Sequence, residues 1–180
     1  MAGLLTSLLT LARDGDKPGA GQTVSLARAA ERAHERWAPT AEQDGRALEL
    51  VGGADVTIAS SDEDLAILLD NLIENALRYS PSRVLVDWGR DGAEAWLAVL
   101  DEGPGLAAGE ETRLFERFAR GRAGSGSSGT GLGLAIVQTL ARRWRGTVSL
   151  ANRVEGGMRA EARFPAVATV EEERWLEASS

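Results

Sequence analysis

The chain has 180 residues, is 43% hydrophobic and 26% charged, and carries a net charge of −7, which describes one globular domain with extensions and a core of useful size. The acidic balance argues against nucleic acid or an anionic membrane as the main partner, because both reward a basic surface. No cysteine is present, so disulfides, thiolate metal sites and cysteine nucleophiles are excluded, and a reducing compartment fits.

Leu4, Leu5, Leu8 and Leu11 follow helical spacing, so the chain starts with one face of an amphipathic helix. That run is too short to span a bilayer, and no basic residue precedes it as in a signal peptide. Residues 14–21 are a linker by composition. A strand is predicted over 22–26 and a helix over 27–37, stopped by Pro39. Strands over 46–51 and 55–59 flank Gly52 and Gly53, which read as a hairpin turn. The next helix starts at Ser61, a capping residue, with Asp62, Glu63 and Asp64 in its positive first turn. Its buried stripe is Leu65, Leu68, Leu69, Leu72, Ile73 and Ala76, and Pro81 marks its end.

Strands over 83–88 and 95–100 are joined through Asp91-Gly92, a strong hairpin signal. Arg113, Arg117, Arg120 and Arg122 crowd one segment, a basic cluster that suits either a bound polyphosphate or a solvated helix face. Residues 121–129, rich in glycine and serine, read as a mobile lid. A helix over 132–144 follows, then a hairpin of strands 147–152 and 158–164 around Glu155-Gly156-Gly157, and a last helix over 170–177. The sum is an α/β sandwich: one mixed, mainly antiparallel sheet with helices packed on one face.

Three segments carry chemistry. Asn71 and Asn75 stand four residues apart on one helical face, with Arg78 three further on. A neutral amide oxygen of Asn75 can complete a magnesium shell beside phosphates, and Asn71 can touch the same assembly. Tyr79 offers an aromatic face to adenine, whereas Glu74, rotated about 100° from Asn75, faces solvent or the lid. Asp101, just past a strand, can accept a hydrogen bond from the exocyclic amine of adenine, and Gly103 and Gly105 let the backbone approach the base. Gly129, Thr130, Gly131, Leu132, Gly133 and Leu134 form a glycine run opening a helix, where backbone N–H groups can face phosphate oxygens. Its G-x-G-x-G spacing is not the dinucleotide fingerprint.

In this order the segments resemble the N, first-glycine and second-glycine boxes of the sensor histidine kinase catalytic domain, and Leu114-Phe115-Glu116-Arg117-Phe118-Ala119-Arg120 resembles its F box. That domain belongs to the ATPase superfamily of gyrase, Hsp90, MutL and the histidine kinases, and the likeness runs over residues 24–164. It implies a Bergerat-type fold binding ATP and Mg2+, with Asn71, Asn75 and Arg117 catalytic and Asn75 on the metal. Arg78 would meet a phosphate. Arg117 and Arg120 would contact phosphate or dock the phosphoacceptor helix, and Phe115 and Phe118 would pack the lid base.

The resemblance also implies a domain plan and partners. Residues 1–13 would be the remnant of a dimerising phosphoacceptor helix, 14–21 a linker, 22–165 the catalytic domain and 166–180 a tail. The γ-phosphate would pass to a histidine on the absent dimerisation hairpin, then to an aspartate of a response regulator. The fragment would be monomeric and cytoplasmic, the intact kinase anchored in a bacterial membrane. An anti-sigma-factor serine kinase, which should lack the leucine helix, and a catalytically silent nucleotide-binding module are the alternatives. His34-Glu35-Arg36-Trp37-Ala38-Pro39 echoes the H-E-x-R-T-P phosphoacceptor box but lacks its arginine and threonine and lies too near Asn71. His34 is therefore an ordinary residue, and the fragment should not phosphorylate itself. The superfamily's hydrolases place a glutamate where Asn71 stands, so ATP hydrolysis should be poor.

Overall fold

The computed structural model describes residues 22–119 and 130–167. The leucine helix, the linker, the lid segment and the 170–177 helix of the sequence reading lie outside them.

Strand β1 (Gln22–Ser25) leads into helix α1 (Leu26–Gln43). Ser25 caps α1 by accepting the Arg28 N–H at 3.0 Å, while its hydroxyl donates to Asp55 at 2.8 Å. The helix was expected to stop before Pro39 but runs through it. Proline removes one hydrogen bond there. The last turn persists because Ala41 is buried in the core, so packing outweighs the local penalty.

Strands β2 (Ala47–Leu50) and β3 (Thr57–Ser60) do not form the expected hairpin. β2 pairs in parallel with β4 (Arg83–Asp91), and β3 pairs antiparallel with β1. Gly52 lies flat against the Trp88 ring, where a Cβ would overlap the indole. Gly52 therefore serves a close approach to β4 rather than a turn between β2 and β3.

Helix α2 (Asp62–Tyr79) starts and ends as its sequence predicts. Ser61 Oγ accepts the Asp64 N–H at 3.1 Å, and the expected stripe is buried, with Leu77 added. β4 and β5 (Glu94–Asp101) form a hairpin around Gly92. After the short α3 (Glu110–Arg113) come α4 (Gly133–Arg143), β6 (Thr147–Asn152) and β7 (Met158–Pro165).

The main sheet has the order β2-β4-β5-β7-β6, parallel only between β2 and β4. β1 and β3 form a separate ribbon, joined to the chain after β7 by a bridge between Ile58 and Ala166. The expected single sheet is thus five strands plus a ribbon. α1 packs on β2, α2 over β4 and β5, and α4 over β6 and β7, all on one face. The opposite face is polar: Arg159 stacks on Trp96 at 4.8 Å and shares Glu161 with Arg163.

α2 is fastened to both neighbouring helices by the same device. Asp70 accepts from Arg36 at 2.7 Å and from the Trp37 indole at 2.8 Å. Asp64 accepts from Arg143 at 3.1 Å and from the Trp144 indole at 2.7 Å. α4 then ends in a Schellman motif, with Gly146 N–H on Ala141 at 2.8 Å and Arg145 N–H on Arg142 at 3.0 Å. Arg145 takes the left-handed position (φ 60°) that glycine usually fills.

Asp64 and Arg143 side chains are each only 13% exposed. Replacing Asp64 by Ala strands buried donors and should cost about 2–4 kcal/mol in urea unfolding, with an unchanged slope. Asp62→Ala, at an exposed pair with Arg32, should change the midpoint little. Arg145→Gly should raise stability by about 0.5–1 kcal/mol, since relief of the left-handed strain exceeds the entropic cost of glycine.

Candidate nucleotide site

The site is built along α2. Its leucine stripe is buried and Asp64 and Asp70 bond the flanking helices, which leaves Asn71 and Asn75 half-buried on the remaining face. Asn71 Nδ2 donates back to the Ile67 carbonyl at 2.7 Å, which fixes the amide. Its Oδ1 then meets the start of α4, where a Cβ on Gly133 would lie 3.1 Å away. The Asn75 side chain makes no hydrogen bond among the described residues. Arg78 pairs with Glu74 at 2.6 Å along the helix, which turns that carboxylate away from the asparagine face, as expected.

At the C-terminal end of α2, Tyr79 touches the first glycine loop: a Cβ on Gly103 would lie 2.9 Å from the Tyr79 carbonyl oxygen. Ser80, buried, bonds the Arg83 carbonyl at 2.8 Å and accepts the Glu102 N–H at 3.3 Å. Asp101 ends β5 at 3% exposure. Its Oδ1 accepts the Gly103 N–H at 2.8 Å and the Met158 N–H at 3.2 Å. Burial pushes its carboxyl pKa above the ordinary 3.8, against these two bonds and the charge of Arg153. Its neighbour Glu102 is held below the usual carboxylate range by the Ser82 hydroxyl and then by Arg83.

On the other side, Gly131 joins the F segment. Phe118 N–H donates to the Gly131 carbonyl at 2.8 Å, and a Cβ on Gly131 (φ 66°) would press on the Phe118 backbone at 2.8 Å. Thr130 accepts the Leu132 N–H at 3.4 Å, Leu132 is buried at the head of α4, and Leu134 packs partly against the core. Among the described residues no side chain caps α4, which leaves its first-turn N–H groups open to an anion. Phe115 packs against the core, whereas Phe118 is 67% exposed and Arg117 is exposed. Arg120 and Gly129 lie outside the described residues.

The residues therefore collect as three groups around α2: Asp101 with Gly103 and Gly105 at one end, Asn71 and Asn75 in the middle, and Gly131 to Leu134 across from them. Sequence reasoning missed what braces the first group. Asn152, Arg153, Gly157 and Met158, from β6, β7 and their turn, all bond or abut the 101–106 loop. Gly157 (φ 84°) sits so close that a Cβ would overlap the Asp101 carbonyl. The signal available was its place in the Gly156-Gly157 pair, which turn chemistry alone had explained. His34 bonds the Leu48 carbonyl on β2 at 3.0 Å, so it ties α1 to the sheet. Among the described residues, no cluster of three carboxylate or histidine side chains could hold a metal, and no helix is long and apolar enough to cross a membrane.

The family model for histidine kinase-, DNA gyrase B- and HSP90-like ATPases matches residues 60–168, and the chain belongs to that family. Sensor protein KdpD of Escherichia coli (strain K12) is 41% identical over 92 residues, 50% of this chain and 10% of that protein. Sensor-like histidine kinase SenX3 of Mycobacterium tuberculosis (strain CDC 1551 / Oshkosh) is 40% identical over 107 residues, 57% of this chain and 26% of that protein. The chain thus matches a minor part of these curated relatives. Among solved structures, full-length ShkA in complex with AMPPNP aligns with a TM-score of 0.80 at 26% identity, over 93% of this chain and 36% of that one. The ATP-binding domain of PrrB from Mycobacterium tuberculosis aligns at 0.69 and 27% identity, over 83% of this chain and all of that one.

Because the native pKa of Asp101 is raised above 3.8, the folded state holds its proton more tightly than the unfolded one. Its contribution to stability is full below 3.8 and is lost as pH rises through the raised native value. Asp101→Asn keeps the Oδ1 acceptor and removes the charge. Thermal melts of this variant should lack that decline and show a melting temperature at neutral pH no lower than the parent's.

Proposed function

We propose that this chain is the ATP-binding catalytic domain of a sensor histidine kinase, and that it gives the ATP γ-phosphate to a histidine on a helical hairpin outside residues 22–165. A response regulator would then receive the phosphate on an aspartate. In this reading residues 1–13 end the phosphoacceptor hairpin, 14–21 link it to the catalytic domain, and the intact kinase works on the cytoplasmic side of a membrane. The observation that carries the reading is the convergence on α2: the buried Asp101 at its C-terminal end, and the start of α4, which no described side chain caps, facing Asn71.

The residues divide the work. Asp101 accepts a hydrogen bond from the adenine amine, with Tyr79 beside it. The first-turn amides of α4, with Thr130 and Arg78, receive phosphate oxygens. Asn75, whose amide is not engaged elsewhere among the described residues, suits a magnesium ion whose other ligands are phosphates and water. That ion, when bound, supplies charge neutralisation. Arg117 and Arg120 would face phosphate or the phosphoacceptor helix. Phosphoryl transfer asks a protein mainly for placement and neutralisation, and this arrangement offers both.

Among the described residues it offers no base for water. Asn71 is an amide whose Nδ2 is spent on its own helix, and Glu74, about 100° round α2 from Asn75, is exposed to solvent. Calorimetry should give Mg-ATP binding stronger than Mg-GTP, weakened at least about tenfold in Asp101→Asn and in Asn75→Ala, the scale of a lost charge-assisted hydrogen bond or ligand. Steady-state hydrolysis should stay far below the ~1–100 s⁻¹ of kinases on their substrates, with Glu74→Gln without effect, and labelled ATP should leave no label on His34. Equal binding of ATP and GTP, or fast turnover abolished by Glu74→Gln, would overturn the assignment.

A further inference from the structure

The loop that carries Asp101 is gripped at both ends by two adjacent residues of the β6–β7 hairpin. At its start, Arg153 Nη1 donates to the Asp101 carbonyl at 2.8 Å. At its far end, Asn152 Oδ1 accepts the Leu106 N–H at 2.6 Å, and Asn152 Nδ2 donates to the Leu106 carbonyl at 2.9 Å. One side chain thus satisfies both backbone groups of Leu106, as a neighbouring strand would. Asn152 also rests on Gly105, where a Cβ would lie 2.6 Å from Oδ1. Leu106 itself packs against the core, so the grip is transmitted to a fixed point.

We propose that Asn152, with Arg153, is a positioning residue for base recognition: together they fix the ends of the 101–106 loop and so set the Asp101 carboxylate and the loop backbone against the amino edge of a purine. The inference rests on the reading of Asp101 as the group that meets the base. A six-residue loop freed at one end samples many conformations, and ordering it again would fall on the binding step. Neither Asn152 nor Arg153 bonds α2 or α4 among the described residues, so the phosphate side should not feel the change. A plain structural staple predicts something different: lost stability, with base and phosphate binding weakened together or not at all.

The test is calorimetry on the 180-residue chain with Mg-ADP and with inorganic tripolyphosphate, beside hydrogen exchange at the Leu106 amide. Asn152→Ala should weaken ADP about tenfold, the scale of one or two neutral hydrogen bonds, while tripolyphosphate stays within about twofold. Asn152→Asp, which keeps the acceptor for the Leu106 N–H and loses the donor, should fall between and serves if the alanine variant does not fold. Leu106 exchange should quicken in both. Retained ADP affinity, or equal loss for both ligands in a cooperatively melting variant, overturns the inference. If Asp101→Asn leaves ADP affinity unchanged, the base reading falls and the inference with it; if that variant weakens ADP and Asn152→Ala does not, the inference alone falls.

Discussion

A helix packed on three sides has little surface left for polar groups, and α2 is in that position. The sheet takes its Leu65, Leu68, Leu69, Leu72, Ile73 and Ala76 stripe, α1 closes one flank through Asp70, and α4 closes the other through Asp64. The leftover strip holds Asn71 and Asn75. Because apolar burial is the dominant favourable term in folding, the asparagine face is fixed as accurately as the core itself. Each flanking fastening uses an arginine and a tryptophan on one carboxylate, so loss of the aspartate would leave two donors to satisfy at once.

The same geometry places the ends of α2 and α4 usefully. Asn71 meets Gly133, which brings the positive end of α4 to the amide strip. Tyr79 and Ser80 meet the loop after β5, and the buried Asp101 sits where that loop begins. Burial raises the pKa of that carboxyl, against the Gly103 and Met158 N–H bonds and the charge of Arg153.

The parts legible in the sequence were those governed by short-range rules. The Ser61 cap, the α2 stripe, the Asp91-Gly92 hairpin and the Glu155-Gly156-Gly157 turn each depend on residues a few positions apart, and each formed as read. The errors came where distant partners decide. Gly52 and Gly53 carried a hairpin signal, but the strand beside β2 comes from β4, and Gly52 is small because Trp88 lies on it. Pro39 carried a stop signal that the burial of Ala41 outweighs. The residues expected to touch a nucleotide were chosen because their types state their chemistry, and the structure gathers Asn71, Asn75, Asp101, Gly103 and Gly133 around α2. Asn152 and Arg153 were not legible, since nothing about an asparagine at a strand end says that it holds a backbone 46 positions away.

The last strand in the order of the chain among those described, β7, does not lie at the sheet's edge. It fills a place between β5 and β6, and its first residue, Met158, supplies one of the N–H groups on Asp101. During synthesis the sheet therefore has an open seam beside β5 until residues 158–165 have left the ribosome. The seat of Asp101 cannot exist in a shorter nascent chain, even though α2 is already made. Such non-local closure also belongs with slow folding, and the exposed flank of β5 is where an arrested chain would first find a wrong partner.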